Sequence, residues 1–521
     1  MPRLWTSRGA CLFATALTYG AGVVLRIFRS RPGNNEAWFA NPAVDLLVRH
    51  KMGTPVVEGV GTWLAGIDQH TYWTMPLYSL VQVPWYWLFG FSLLTQRLLT
   101  SVLGIGVLFC VYALVKKLST EWAAVLSVVF IGCDYEFIKQ SAEGRMDMLC
   151  AFLGFAGLAL YLNLRETNFR RAVLLSNVAA AASCMTHPCG VLAMTSLWAI
   201  MFYFDRKRLG WKEVALAGAP YVVALALWAA YILPAPASFL AQMKGNARGI
   251  QAEIGGGNRF NLMLHPRWAF KTEMGDRYIG NYFSAAMPGV YLIGLLAIVV
   301  LAWRTRRKDH VAIALIASLY FLELMLLEGT KREQYLVHSV PMLAIALAVV
   351  LCSIELPRRY RTAMVVAAAA LVVTIQGVTM FRHFPTTVGV RNYFATEKFL
   401  EANYVQGTTL IAPAEFAYRF GFYGGLIDDW RIGYYSGKSP EFIVAGPLTL
   451  TDLWLKQHRN DTPEFAQFVT NRLGQEYVVV MRNANYTVYV RRERAASLTP
   501  AVSDPDQPSM VRMVLGLHPP R

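Results

Sequence analysis

The sequence has little charge for its length. Only 16% of its 521 residues are Asp, Glu, Lys or Arg, whereas 55% are hydrophobic and the mean hydropathy is +0.36. A soluble globular domain usually carries about 25% charged residues. This shortage of charge excludes a large water-soluble core and predicts a chain that crosses a membrane many times.

Cysteine is also scarce, and its positions show no metal or disulfide pattern. All seven cysteines lie in or beside apolar segments, where free cysteine behaves as a small buried hydrophobe. Cys184 and Cys189 flank the sequence MTHP, but no further ligands follow at the spacing of a zinc site. His187 in that sequence could be a ligand, but the pattern favours a hydrogen-bonded histidine at a helix break. We therefore expect neither a disulfide nor a structural zinc.

Internal repeats and a signal-peptide cleavage site are absent from the sequence as well. Secondary transporters commonly show repeated halves, so the lack of a repeat argues against that class. Residues 8–27 begin as a signal peptide would, but no clear small-residue cleavage site follows them. They are predicted to be a retained first membrane span.

What the sequence does contain is a series of apolar segments long enough to cross a bilayer, for which a helix needs about 20 residues. The stretch 77–91 is shorter and contains Pro84, so we expect it to lie at the membrane interface or to re-enter. The fold class predicted is a polytopic α-helical membrane protein with about 11 to 13 transmembrane helices. The eleven predicted spans are 8–27, 94–115, 121–138, 146–164, 171–187, 189–204, 213–233, 288–303, 311–328, 335–356 and 363–383.

Basic residues are concentrated in short connections between these spans. Five connections carry them: Lys116-Lys117, RETNFRR (165–171), DRKRLGWK (205–212), RTRRKDH (304–310) and RRYR (358–361). With the N-terminus inside, all five fall on the cytoplasmic side, as the positive-inside rule requires. The loops 28–76 and 234–287, the turn 328–335 and everything after about 384 are then outside. We attribute the net charge of +16 to lipid contact, because no single face carries it as in a nucleic-acid-binding protein.

The residues after 383 have a different character. The β-like runs TTLIAPA, EFIVAGPL, EYVVVMR and YTVYVRR alternate with helix-like stretches such as RNYFATEKFLEANYV. This pattern predicts a transmembrane domain over 1–383 and a small extracytoplasmic α/β domain over 384–493. Residues 494–521 have the composition of a disordered tail.

Two polar segments at the predicted outer face are unusual for a membrane protein. The hairpin DYEFIKQSAEGRMDML (134–149) holds six charged residues between apolar spans, and Arg145 and Asp147 begin the fourth span. A charge at membrane depth costs about 2.5–3.5 kcal/mol and usually has a function. Lys331 and Arg332 lie in the turn EGTKREQY, outside, where they would suit an anionic lipid phosphate. The alternative for both segments is simple contact of interfacial charges with headgroups.

The two long outer loops supply further candidates. The loop 28–76 holds Glu36, Asp45 and Asp68, together with His70, and a carboxylate there could act as general base toward an acceptor hydroxyl, phosphate or amine. The number of acids allows a divalent metal without requiring one, and no metal ligand is assigned. The basic loop 234–287 is predicted either to close over an anionic lipid substrate or to be attracted to anionic lipid.

Several stretches resemble one known family. They are NEAWFANPAVDLLVRHKMG, YWTMPLYSL, LFGFSLLTQRLLTSVLGIGVLFCVYALVKKL, SAEGRMDMLCAFLGFAGLALYL and KREQYLVHSVPMLAIALA. In this order and on these membrane sides, the chain resembles the polyprenyl-phosphate-sugar-dependent glycosyltransferases of the GT-C fold. The nearest branch contains the lipid A aminoarabinose transferase and the protein O-mannosyltransferases. The resemblance covers roughly residues 10–383.

The resemblance implies roles for particular residues. Asp147 matches the acidic residue of the family's second outer loop and Arg145 its basic companion, while Lys331, Arg332 and Tyr335 match the turn that holds the lipid-linked phosphate. The candidate catalytic residues are Glu36, Asp147, Asp45 and Asp68, and the candidate substrate-binding residues are Arg145, Lys331, Arg332, Tyr335, Tyr72 and His70.

Two positions depart from the family pattern. Asn35 precedes Glu36 where the family has an Asp that is its favoured catalytic carboxylate, and Asn cannot act as a base. Thr74 stands where the family has a lysine. Either another carboxylate has taken the role, or the acceptor needs no strong base, or the protein is a divergent or inactive member.

The resemblance implies a function at the outer face of a bacterial inner membrane. The protein would move a hexosyl or pentosyl group from a polyprenyl-phosphate donor to an acceptor, with inversion at the sugar carbon. Lipid A or another glycolipid, a polysaccharide and a protein all remain open as acceptors. A transporter and a non-catalytic envelope scaffold of the same fold are the alternatives, and a polymerase or ligase of lipid-linked glycans fits the motifs less well.

Overall fold

The computed structural model describes residues 2–253, 265–282, 285–383, 387–405, 407–446 and 463–499. Its first part consists of helices. In chain order they are α1 (Pro2–Arg29), α2 (Asn34–Arg49), α3 (Leu77–Phe89), α4 (Leu93–Leu118), α5 (Glu121–Gly132), α6 (Tyr135–Ser141), α7 (Asp147–Leu164), α8 (Phe169–Thr186), α9 (Gly190–Asp205), α10 (Trp211–Ile232) and α11 (Pro236–Glu253). They continue with α12 (Pro266–Thr272), a π-helical segment (Glu273–Ile279), α13 (Gly280–Tyr282), α14 (Ala286–Thr305), α15 (Lys308–Leu327), α16 (Leu336–Ser353) and α17 (Arg358–Arg382).

Eight of the described helices are long and apolar enough to cross a membrane: α1, α4, α7, α10, α14, α15, α16 and α17. The other three predicted spans correspond to α5, α8 and α9, which are helices of 12, 18 and 16 residues. The predicted polytopic helical membrane protein is thus confirmed. The stretch 77–91 contains the short helix α3, whose Trp87, Leu88 and Phe89 are exposed, as an interfacial segment requires.

The third predicted span is broken rather than continuous. Helix α5 ends at Gly132 and α6 begins at Tyr135, because the Asp134 side chain caps α6 by accepting a hydrogen bond from the Phe137 N–H (3.0 Å). Tyr282, Tyr291 and Gln376 also donate to this buried carboxylate. A single helix over 121–138 was therefore wrong in its second half, where the sequence carries a capping residue.

Small residues allow the central helices to approach closely. A Cβ atom on Gly154 would lie 2.8 Å from the Ala193 Cβ of α9, and one on Gly157 would lie 3.0 Å from the Ser176 carbonyl oxygen of α8. Such close approach is typical of packed transmembrane helices, which gain little from the hydrophobic effect inside a bilayer. Helix α10 contrasts with this, since Val222, Leu225 and Leu227 are exposed on it, as on a helix that faces lipid.

The C-terminal part contains a five-stranded sheet in the order β2-β1-β3-β5-β4. Strands β1 and β2 and strands β1 and β3 are parallel, whereas β3–β5 and β4–β5 are antiparallel. All four predicted β runs contain a strand, and the helix-like stretch from Arg391 lies in α18; the two-residue strand β2 was not predicted. The elements are α18 (Thr387–Asn403), β1 (Leu410–Ile411), α19 (Ala417–Phe420), β2 (Leu426–Ile427), β3 (Phe442–Ala445), α20 (Pro463–Asn471), β4 (Tyr477–Arg482) and β5 (Thr487–Arg491).

The predicted tail is described only at its start. A 3₁₀ helix covers Arg492–Ser497, and Asn403 donates a hydrogen bond to the carbonyl oxygen of Thr499 (3.1 Å). Residues 500–521 lie outside the described part of the chain, so the disorder predicted there stays a prediction.

The C-terminal domain is attached to the first outer loop by polar contacts. Arg31 donates to both carboxylate oxygens of Glu415, at 2.6 and 2.5 Å, and the Trp38 indole N–H donates to Asp428 Oδ2 at 2.9 Å. These partners are more than 380 residues apart in sequence, so the contacts join the N-terminal helices to the C-terminal domain. They hold that domain over the end of the helical body that carries helix α2.

The opposite end of the helical body holds the predicted cytoplasmic connections. Lys117, Arg165 and Lys308, from three different connections, line one crevice of about 460 Å³. Arg165 is paired there with Asp205 (2.7 Å) and Lys117 with Glu166 (2.7 Å). The basic connections therefore meet at one end, as the proposed orientation requires; we call it the inner end.

Candidate functional site

The charged hairpin and the basic turn meet at the end of the helical body that lies opposite the inner end. The Lys139 ammonium on α6 contacts Glu333 Oε2 of the turn at 2.5 Å and lies 3.6 Å from Glu136 Oε2. Glu136 is buried, and neither of its carboxylate oxygens accepts a hydrogen bond from the described residues. Two segments that are almost 200 residues apart in sequence are thus joined by one cation between two acids.

We call the charged and aromatic residues that gather here the outer-end cluster. Its members come from α2, α4, the hairpin, the π-helical segment and the turn before α16. They are Glu36, Arg97, Glu136, Lys139, Arg145, Asp147, Glu273, Arg277, Glu328, Lys331, Arg332, Glu333 and Tyr335.

Glu36 is fully engaged by hydrogen-bond donors. Arg97 contacts both of its carboxylate oxygens, at 2.8 and 2.7 Å, and the N–H groups of Gly144 (2.8 Å) and Gly33 (2.9 Å) also donate to them. Burial disfavours the charged form of Glu36, but the Arg97 guanidinium and these N–H groups hold its pKa below the ordinary value. With four donors directed at its two oxygens, Glu36 has no open position for the proton of an acceptor, and it fixes α2 against the hairpin.

Asp147 has a different environment. The Arg145 Nε donates to its Oδ2 at 3.0 Å, and the Arg145 guanidinium lies 5.0 Å from the centre of the Phe39 ring. Arg145 can fold back onto Asp147 because it precedes the first residue of α7 and is not bound by helical geometry. Asp147 is only 1% exposed, yet its Oδ1 has no hydrogen-bond partner in the described ranges. One oxygen of this buried carboxylate therefore keeps its capacity to accept a proton or a hydrogen bond.

The turn before α16 holds its two cations in different ways. The Lys331 ammonium is buried and donates to Glu273 Oε2 (2.8 Å) and to the Met325 carbonyl oxygen (2.6 Å). Arg277 pairs with Glu273 (3.3 Å) and with Glu328, so that four charges of alternating sign are linked. Arg332, the next residue, is exposed. Lys331 thus stabilises the turn, and Arg332 presents its charge at the surface.

Two histidines beside the cluster were not among the predicted site residues. The rings of His187, between α8 and α9, and Tyr335 lie 5.1 Å apart. His338 lies in the first turn of α16, three residues after Tyr335, which is the N-cap of this helix, and this spacing brings the two to one side of it. His187, His338 and Cys189 bring potential metal-ligating atoms within 4.8 Å of one another. The spacing of Tyr335 and His338 in the sequence was the only signal for this group. That His338 lies close to His187 is visible only in the fold.

The other four predicted site residues belong to a second group around the first outer loop. Asp45 accepts a hydrogen bond from the Gly53 N–H (3.0 Å) and pairs with Arg49, which also donates to the Asp68 carbonyl oxygen (3.0 Å). Asp45 is buried and Asp68 is exposed. The Asp45 carboxylate and the Asp68 carbonyl oxygen therefore hold the loop against α2 through Arg49.

Tyr72 and His70 complete this second group. Their rings stack at 5.5 Å, and the Tyr72 hydroxyl donates to the Tyr231 carbonyl oxygen of α10 at 3.0 Å. The Gln242 Oε1 of α11 accepts from the Tyr72 N–H at 2.7 Å. The basic loop 234–287 thus contributes a helix, α11, that packs on the first loop. Its three glycines at 255–257 lie outside the described residues.

An apolar crevice of about 220 Å³ opens between α14 and α17. Ala286, Ile375 and Val378 line it, and Arg382 lies at its outer end. The next residue, His383, has its ring 5.0 Å from that of Tyr135, which precedes Glu136. The crevice therefore opens on a membrane-spanning surface and ends close to the outer-end cluster.

No family model and no curated protein sequence matches the chain. Solved structures do match it over nearly its whole length. The crystal structure of ArnT from Cupriavidus metallidurans in the apo state has a TM-score of 0.60 at 14% identity, covering 95% of this chain and 100% of that one. The same protein bound to undecaprenyl phosphate gives 0.57 at 13% identity, with 93% and 97% covered.

An archaeal oligosaccharyltransferase is similar in the same way. AglB from Archaeoglobus fulgidus, in complex with an inhibitory peptide and a dolichol-phosphate, has a TM-score of 0.54 at 11% identity and covers 92% of this chain and 74% of its own. The chain has the GT-C fold. At such low identity the likeness fixes the GT-C architecture, while the chemistry has to be argued from the residues at its outer end.

Proposed function

We propose that this protein is a membrane glycosyltransferase that moves a sugar from a polyprenyl-phosphate donor to an acceptor at its outer end. The observation that carries the proposal is the outer-end cluster, in which cations and a carboxylate with one unpaired oxygen meet at the end of a GT-C scaffold. ArnT bound to undecaprenyl phosphate and AglB bound to a dolichol-phosphate support the class of donor.

The donor phosphate would bind at the turn before α16. Arg332 offers an exposed guanidinium there, which can hold a phosphate by two parallel hydrogen bonds. Lys331, predicted as a second phosphate ligand, is bound by Glu273 and the Met325 carbonyl oxygen, so we assign it the positioning of the turn. The apolar crevice between α14 and α17 would accept part of the polyprenyl chain, because it opens toward lipid.

Transfer would proceed as a single displacement. Asp147 Oδ1 would take the proton of the acceptor O–H or N–H as the nucleophile attacks the anomeric carbon of the sugar. The bond between that carbon and the phosphate oxygen breaks, and the polyprenyl phosphate leaves with the electron pair. The cationic side chain of Arg332 would stabilise the charge that develops on this leaving group. One displacement inverts the configuration at the sugar carbon.

Glu36 would position this site rather than act as its base. Its link between Arg97 and the Gly144 N–H holds α2 beside Arg145 and Asp147. Asn35, where the family carries an acid, is exposed on the same helix. With Glu36 held by four donors, Asp147 is the carboxylate best suited to receive a proton.

The distribution of basic residues supports a location of this chemistry outside the cytoplasm. The basic connections gather at the inner end, and the C-terminal domain covers the other end through Arg31 and Trp38. By the positive-inside rule, the outer-end cluster and the C-terminal domain would face the periplasm of a bacterium whose inner membrane holds the helices.

Binding of a lipid phosphate tests the proposal directly. The full-length protein in detergent would be titrated with undecaprenyl phosphate while its thermal unfolding is followed. At about 100 times Kd, a ligand that binds only the folded state stabilises it by about 2.7 kcal/mol, a measurable shift. We expect this shift in the wild type and a loss of most of it in Arg332→Ala, because the guanidinium contacts the phosphate.

The control is Arg304→Ala, which removes an exposed arginine of the inner end and should leave the shift unchanged. Undecanol or undecaprenol, which lack the phosphate, should give little stabilisation of either protein. Failure of every polyprenyl phosphate to stabilise the wild type would contradict the proposal and favour the transporter or scaffold alternative.

A further inference from the structure

We propose that His187, Cys189 and His338 form a binding site for a divalent transition metal of the Zn²⁺ type. The site joins the α8–α9 junction to α16 beside Asp147. This inference does not depend on glycosyl transfer, because it rests on the donor atoms and their surroundings alone.

The three side chains already have the spacing that a metal ion needs. Their ligand atoms all lie within 4.8 Å of one another. In a tetrahedral zinc site, with Zn–N near 2.0–2.1 Å and Zn–S near 2.3 Å, neighbouring ligand atoms are about 3.3–3.7 Å apart. A movement of about 1 Å would therefore close the three residues around an ion, which rotation of the side chains can supply.

The buried histidine of α16 has an unused nitrogen at this place. His338 is 2% exposed, and its Nε2 has no hydrogen-bond partner in the part of the chain that the structure describes. A buried polar atom normally has a partner, and its absence calls for an explanation. Asp147 Oδ1 is a second such atom, and Asp147 interacts electrostatically with both histidines. A cation among these groups would satisfy the nitrogen and be attracted by the carboxylate.

The α8–α9 junction holds the other two ligands in a fixed arrangement. His187 and Cys189 surround Pro188, and the Cys189 N–H donates to His187 Nδ1 at 3.1 Å. Either mode of binding gives up this hydrogen bond, because the ion takes Nδ1 itself or, when bound at Nε2, moves the ring proton to Nδ1. Cys189 is half-buried and Pro188 is exposed, so an ion has a path to the site.

The donor set defines the class of ion. Imidazole nitrogen and thiolate sulfur suit Zn²⁺ and neighbouring transition metals, whereas Mg²⁺ and Ca²⁺ take oxygen ligands. With three protein ligands, a fourth position remains for water or for a carboxylate. The spacing of Cys189 and His187 in the sequence gave no metal pattern, because the third ligand lies about 150 residues further along the chain.

Cobalt spectroscopy on the full-length protein tests the site. The protein would be purified in detergent without a histidine tag, treated with EDTA, and titrated with Co²⁺. A thiolate ligand gives a sulfur-to-cobalt charge-transfer band in the near ultraviolet, and tetrahedral geometry gives strong visible bands. We expect both bands to saturate at about one equivalent of Co²⁺, the stoichiometry of a single three-ligand site, and Zn²⁺ to displace them.

The variants assign the bands to residues. Cys189→Ser should abolish the charge-transfer band, and His338→Gln should weaken binding at least tenfold. Cys184→Ser is the matched control, since Cys184 is half-buried near the same junction but lies outside the group, and it should keep both bands. The proposal would be wrong if the Co²⁺ bands of the wild type did not saturate. It would also be wrong if the charge-transfer band remained in Cys189→Ser. Because the wild type is measured first, failure of a variant to fold would leave the test intact.

Discussion

The two ends of the helical body both carry many charges, but they bury them very differently. At the outer end, the side chains of Arg97 and Glu36 are 1% and 5% exposed. At the inner end, those of Arg170 and Glu213 are 71% and 16% exposed, and Arg307 is 63% exposed beside Asp309. The outer end thus holds a packed polar network, whereas these pairs of the inner end form a solvated rim around the more buried pair of Arg165 and Asp205.

This difference separates two uses of charge in a membrane protein. Exposed ion pairs contribute about 0–1 kcal/mol, so the inner charges act mainly by fixing the orientation of the chain in the membrane. A buried pair is costly to desolvate and loses about 3–5 kcal/mol when one partner is removed, so it persists only where its geometry serves a purpose. We infer that the outer end is built to hold specific atoms in place.

The largest effect is expected from Asp147→Asn, which removes the proton acceptor from the outer end. The side chain keeps its size, and its amide oxygen can still accept from Arg145. Because the substitution also leaves the buried Arg145 without its anion, the amount of folded variant is measured and the activity is expressed per folded protein. General-base catalysis typically contributes about 10²- to 10⁴-fold, and transfer of labelled sugar from a polyprenyl-phosphate donor should fall by that factor. Transfer by membranes containing each variant is the measurement.

The matched control is Asp68→Asn, which alters an exposed carboxylate of the second group. It should retain the activity of the wild type. If Asp147→Asn transferred sugar at the full rate, the unpaired Oδ1 would have no catalytic role and the distinction between the two ends would be one of stability only.

A smaller effect, on folding, is expected from Glu36→Gln. The substitution leaves the Arg97 charge buried without its partner and should lower the free energy of unfolding by about 3–5 kcal/mol. Glu213→Gln, which breaks the exposed pair with Arg170, should lower it by no more than about 1 kcal/mol. Denaturant unfolding in detergent micelles would compare the two. Equal losses would show that burial does not distinguish the ends.

Much of the architecture could be predicted because it depends on local patterns. In the described part of the chain, apolar length gave the eight long membrane helices, and short β-like runs gave four of the five strands. The break at Asp134 was missed, although Asp is a common helix cap, because the surrounding apolar run suggested one continuous span. Strand β2 was missed because its two residues, Leu426 and Ile427, lie between Gly425 and Asp428 and belong to no longer β-like run.

The site was harder to predict because its geometry depends on contacts across the chain. The sequence shows that Arg145 and Asp147 are charged near an apolar run, but not that Asp147 keeps one oxygen unpaired. Likewise, Lys331 is visible as a cation outside, while its engagement by Glu273 requires the fold of a segment 58 residues away. The residue types and the segments that carry them could be predicted from the sequence, and the pairing of individual charges could not.

An effect on the pH dependence of stability, rather than on activity, should come from Asp428, a buried carboxyl of the outer end in the C-terminal domain. Burial raises its pKa to about 7, although the Trp38 indole and the Ala414 N–H favour the charged form. The unfolded carboxyl has a pKa near 3.9, so between about pH 4 and 7 the folded state holds a proton that the unfolded state has released. Stability should therefore decrease as pH rises through this window and become constant above it.

Asp428→Asn should remove this part of the pH dependence. The amide oxygen can still accept from Trp38, and the group no longer titrates, so the variant should gain stability relative to the wild type at pH 8 and gain little at pH 4. The midpoint of thermal unfolding, measured for both proteins across that range, is the readout. Glu476→Gln, at an exposed position of the same domain, should follow the wild-type profile. Parallel profiles for Asp428→Asn and the wild type would mean that the carboxyl is ionised in the folded protein. Burial at the outer end would then not raise the pKa of this group.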